Sequence, residues 1–147
     1  MPTLRERLST GNKRTAVIDD ALRVLDAEVA DKSGISGMAI KAAFGMVKSV
    51  KPGFIREVVD HLLDDFVDAL EPIAAEAEEK GVKPGTYLEA NRGRVADALL
   101  SITDRRAQSA QNRAIKAAYE RLRPTAKKHV EAAAPRLGRM LERQLES

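Results

Sequence analysis

Along the chain the apolar residues recur at helical spacing, three and four apart, and no stretch alternates apolar with polar as a half-buried strand does. Thr3-Leu4-Arg5-Glu6 has capping-box spacing and opens a short turn of helix that Gly11 ends. A second helix is expected from about Thr15 to Ala30, with Ile18, Leu22, Leu25 and Val29 on one stripe and Asp19, Asp20 and Asp26 off it. After a break at Asp31-Lys32-Ser33-Gly34 comes the most apolar segment, Ile35 to Val50, where only Gly37, Lys41, Gly45 and Lys48 form a polar edge. A helix apolar nearly all round predicts a central position, surrounded by its neighbours.

Lys51-Pro52-Gly53 punctuates, because the residue before proline resists helix and glycine suits a reversal. The longest helix follows from Phe54 to about Lys80, its wide stripe running from Ile55 to Ile73. Pro72 cannot donate to the carbonyl of Asp68, so a kink or restart is expected there. After the loop Gly81–Gly85, Thr86-Tyr87-Leu88-Glu89 matches a second capping box, opening a helix through Val95, Leu99 and Ile102. From Asp104 to Arg123 the pattern thins to alanines with Ile115, Tyr119 and Leu122. Pro124 and Pro135 divide the remainder, where Val130, Leu137, Leu141 and Leu145 make a last amphipathic face. The pattern predicts an all-α, single-domain bundle of six or seven helices over residues 1–147, with 104–147 its basic part and the one whose packing the pattern specifies least.

Composition agrees. A length of 147 residues suits one domain, and 44% apolar with only 3% aromatic residues favours helices over a sandwich or barrel. The absence of cysteine excludes disulfides, thiolate-bound metals and thiol catalysis. Met1–Ser9 alternates charges without an apolar secretory core, and no run approaches the roughly 20 apolar residues of a membrane-spanning helix. A cytoplasmic protein is expected.

Three segments also carry a resemblance. Residues 30–37 (Ala-Asp-Lys-Ser-Gly-Ile-Ser-Gly), Val50-Lys51-Pro52-Gly53 and the run from Leu62 to Pro72 resemble a family of small bacterial proteins of unknown function. Ala96 to Ala107 fits it as well. The resemblance implies a single cytosolic helical domain, and it supplies no activity and no site residues.

Charge changes the picture by its distribution. Residues 1–53 carry nine Lys/Arg against six Asp/Glu, residues 54–91 three against ten, and residues 92–147 thirteen against six. An acidic middle and a basic C-terminal third would pair within one chain or head to tail between two. On the acidic helix, Asp60, Asp64, Asp68 and Glu71 share a face, and Asp64 and Asp68 are the candidate ligands for a hard divalent cation. Neither His61 nor His129 has a glutamate three positions earlier, so no di-iron bundle motif is present. The chain also lacks the Gly-x-Ser-x-Gly, Ser-x-x-Lys and phosphate-loop patterns. No cofactor and no catalysis are expected.

The remaining candidate is an electrostatic one. Arg105, Arg106, Arg113, Lys127 and Lys128 stand in the basic third and would neutralise phosphates in sequence-independent nucleic-acid binding. Against that stand the interleaved Asp104, Glu120, Glu131 and Glu142 and the scarcity of aromatics for stacking. A membrane-surface role for Ile35–Val50 is disfavoured by its expected burial. The leading expectation is a non-catalytic module that associates with itself or with another protein.

Overall fold

The computed structural model describes residues 2–147, among which it contains seven helices and no strand. They are α1 (Leu4–Leu8), α2 (Gly11–Asp31), α3 (Gly34–Lys48), α4 (Phe54–Glu79), α5 (Pro84–Ala90), α6 (Arg92–Gln108) and α7 (Arg113–Glu146).

Half of the first capping box forms: the Thr3 hydroxyl accepts from the Glu6 N–H at 3.2 Å and starts α1, while the Glu6 carboxylate accepts from that hydroxyl at 3.3 Å and not from the Thr3 N–H. Gly11 acts otherwise than expected. α1 already ends at Ser9, and Gly11, at φ 57°, is the first residue of α2. Gly53, at φ 74°, takes the left-handed conformation that joins the loop to α4.

The two longest helices, α4 and α7, form opposite walls. Each packs against all five other helices, while their backbones do not approach one another. Side chains fill much of the space between them. Leu63, Val67, Leu70 and Ile73 of α4 and Leu141 of α7 join Leu4, Leu8, Val17, Ile18, Leu88 and Val95 in one buried cluster.

Three expectations about this architecture need correction. α3 forms where its pattern predicts but lies at the edge of the bundle; only Gly37 on it is buried, and Ile35 and Met38 are 91% and 70% exposed. α7 packs against five other helices, and its buried residues Ala134, Gly138 and Leu141 all lie in its second half. Its thin apolar pattern reflects small residues: Ala134 and Gly138 are buried because they let neighbouring backbones come close. α7 also continues through Pro124 and Pro135 instead of being divided there; at Pro72, where a kink or restart is expected, α4 runs on as one helix without the restart. Each proline forfeits one backbone hydrogen bond, which packing along such long helices can offset. Finally, Thr86 caps nothing. α5 begins earlier, with Pro84 at its first turn, and a break at Asn91 separates it from α6.

Candidate functional site

α3 is short of acidic residues altogether, and its outward side is short of charge. Ala39, Ile40, Ala43, Phe44, Met46 and Val47 are half-buried toward α2, α4 and α7. The opposite side presents Ile35, Met38, Ala42 and Gly45 to solvent, at successive intervals of three, four and three residues. That is the spacing of a coiled-coil seam. Two bulky residues occupy its first half and two small ones its second, with exposed Lys41 and Lys48 flanking. The Lys48 ammonium lies 5.2 Å from the centre of the Phe44 ring.

The charge blocks are engaged within the chain. Arg14 bridges Asp60 at 2.9 Å and Asp64 at 2.8 Å, and Arg5 pairs with Asp68, so both candidate metal ligands carry guanidinium partners. Hydrogen bonding to Arg14 holds the Asp64 carboxyl below its usual range. Among the described residues no three histidine, aspartate or glutamate side chains gather as a metal site would require.

From the basic third, Arg94 grips Glu76 through two bonds of 2.7 and 2.9 Å, and Arg106 reaches Asp65 at 3.0 Å. With a further bond from the Tyr87 hydroxyl, Arg94 lowers the Glu76 carboxyl to about 2. The rest of the basic third turns elsewhere. Arg136 binds Glu28 at 2.9 Å and also Asp31, Arg143 binds Asp20 at 2.8 Å, and Lys127 binds Asp97 at 3.1 Å. Arg123 binds Asp104 at 2.8 Å. The hydroxyl of Tyr119, which also donates to Asp104, is raised to about 12 by burial and by that carboxylate.

Among the described residues Asp20 is the one carboxylate drawn fully inside, 4% exposed. Burial opposes its charge, but bonds from Arg143 and Gln144 outweigh that cost and hold the carboxyl below its usual range. Its position beside Val17 and Ile18 gave no sign of this, because the partners lie over 120 residues along the chain.

Of the five candidate nucleic-acid residues, Arg106 and Lys127 are therefore held in ion pairs. Arg105, Arg113 and Lys128 are exposed, and Arg113 and Lys128 stand about 22 Å apart along α7 at 1.5 Å per residue. The structure does not gather the five into one compact patch. His61 is exposed on α4, while His129 on α7 is half-buried. No helix among the described residues is long and apolar enough to cross a membrane.

The model of a protein family described as a family of unknown function, DUF6918, matches residues 4–145. No curated protein and no solved structure matches the chain.

Proposed function

The chain belongs to DUF6918, a family of unknown function, and we propose that it acts as a non-catalytic, cytoplasmic association module that pairs with a second copy through α3. The single observation that carries this reading is the exposed seam of Ile35, Met38, Ala42 and Gly45 on an otherwise packed helix. Large apolar side chains held in water stabilise association when covered, each by about 1.5–3 kcal/mol if fully buried.

The occupant follows from shape. An antiparallel arrangement about a two-fold axis beside Ile40 sets Ile35 opposite Gly45 of the second copy, and Met38 opposite Ala42. Bulky residues then fill the hollows left by small ones on both sides of the axis, as an isologous contact requires. Pairing of the acidic and basic blocks between subunits draws less support, since so many of those charges have partners in their own chain. Nucleic-acid binding draws less support for the same reason.

Sedimentation velocity across a range of concentrations tests the proposal. The expected result is a dimer that persists or tightens as salt is raised, and a folded monomer for the Ile35→Lys, Met38→Lys double variant. A wild-type chain that stays monomeric throughout the range overturns it.

A further inference from the structure

Between the walls formed by α4 and α7 lies a cavity of about 360 Å³. Its lining is aliphatic over most of its length, with Val24, Leu25, Leu63, Val67, Ala133 and Leu137 facing it from three helices. Polar groups enter at one end only, where Glu28, Lys32 and His129 meet. An apolar chamber with a few convergent polar groups is the usual form of a small-molecule site, and this volume lies near the lower end of the usual range of about 300–1,000 Å³.

The hydrogen bonding at the polar end is lopsided. Both oxygens of Glu28 are taken, one by Arg136 at 2.9 Å and the other by Lys32 at 3.1 Å. Each Glu28 oxygen thus already carries a cationic donor, while Lys32 keeps donor capacity to spare. Lys32 has three N–H groups. One serves Glu28, and a second makes only a long 3.5 Å contact with the His129 carbonyl. His129 Nε2 is shut off from solvent and has no partner in the protein. The Lys32 and Glu28 side chains are themselves only 12% exposed, so little water reaches them. Burial first, and then the nearby charges of Lys32 and Lys128, hold the His129 ring below its usual range.

We infer that this cavity binds a single-chain aliphatic carboxylate, its hydrocarbon tail lying between α2, α4 and α7 and its carboxylate accepting hydrogen bonds from Lys32 and from His129 in the tautomer that carries its proton on Nε2. The spare donors select an acceptor head group over an ammonium, and the volume selects one chain over two. The position of Lys32 is built in by the backbone: a Cβ on Gly37 would lie 2.8 Å from the Lys32 carbonyl carbon, so glycine there lets the turn into α3 close against it.

Isothermal titration of the full chain with dodecanoate, below its micelle concentration, tests the inference. The expected result is saturation at one molecule per chain, with affinity rising about fourfold per methylene from octanoate upward, as burial of each CH₂ predicts. Lys32→Met should weaken dodecanoate at least tenfold and leave dodecanol within twofold, which a folding defect would not do. Ala133→Phe, which fills the chamber, should weaken both. Ile35→Lys should change neither, separating this site from the seam on α3. Failure of dodecanoate to saturate, an equal affinity for dodecyltrimethylammonium, or an unchanged affinity in Lys32→Met overturns the inference. Binding of vesicles of two-chain phosphatidylglycerol in place of dodecanoate would overturn it as well.

Discussion

Gly85 and Gly138 bring the backbones of α5 and α7 into direct contact: a Cβ on Gly138 would lie 2.6 Å from the Gly85 carbonyl oxygen. The obstructing atoms are main chain, so neither helix can yield by turning a side chain. Gly138→Ala should therefore destabilise the protein by about 1–3 kcal/mol, in the range of other overpacked cores. Gly93→Ala, in the first turn of α6, meets only the Glu131 carboxylate at 3.7 Å, an ordinary contact, and should stabilise by about 0.4–1 kcal/mol by reducing the entropy of the unfolded chain. Denaturant unfolding of the two variants checks both signs.

The Asp20 cluster ties the middle of α2 to the end of α7. Asp20→Ala should cost about 1–3 kcal/mol, as loss of buried, charge-assisted hydrogen bonds does. Arg143 is half-exposed and can turn to water in that variant, which keeps the cost below that of breaking a fully buried pair. Asp19→Ala removes the exposed pair with Arg56 and should cost no more than about 1 kcal/mol. Chemical denaturation midpoints compare the two neighbours directly.

Acid should lower the stability of the protein in two steps. The His129 ring is held below its usual range by burial and by Lys32 and Lys128, so the folded state binds fewer protons there than the unfolded chain. Stability from this group is full above the unfolded value near 6.5 and falls as pH drops below it. Asp20, Asp64, Glu76 and Asp104 behave likewise at lower pH, since each is lowered in the folded state. Their contribution is full above about pH 4 and is lost toward pH 2. Thermal melts from pH 7 to 2 should show both losses, with His129→Gln removing the first and Glu76→Gln reducing the second.

High salt should weaken the fold only slightly. The ion pairs from Arg5, Arg56, Arg94, Arg106 and Lys127 are largely exposed, and exposed pairs contribute little individually. A melting temperature nearly independent of salt is expected. A steep fall would mean that the charge network carries much more of the stability than its exposure allows.

Helix existence was legible in the sequence, and helix placement was not. The expected spans from Thr15, Ile35 and Phe54 fall within a few residues of α2, α3 and α4, because strong periodicity marks an element wherever it ends up. Periodicity cannot say which side of a helix faces inward when apolar residues nearly encircle it. Hence the outward Ile35 and Met38 were read as core. In α7 the same rule failed the other way, since Ala134 and Gly138 pack tightly while contributing almost nothing to an apolar stripe. The meeting of Glu28 and Lys32 with His129 depends on contacts about 100 residues apart, which no local pattern encodes. The family resemblance at residues 30–37, 50–53 and 62–72 lies within the matched span.

The chain has no cysteine, so single cysteines can report which surfaces meet. The most direct test of pairing through α3 is oxidative cross-linking of mixed Met38→Cys and Ala42→Cys chains. An antiparallel seam about Ile40 predicts disulfide-linked dimers of unlike chains, and little linkage when either variant is oxidised alone. Equal linkage between like chains, or none in the mixture, would contradict it.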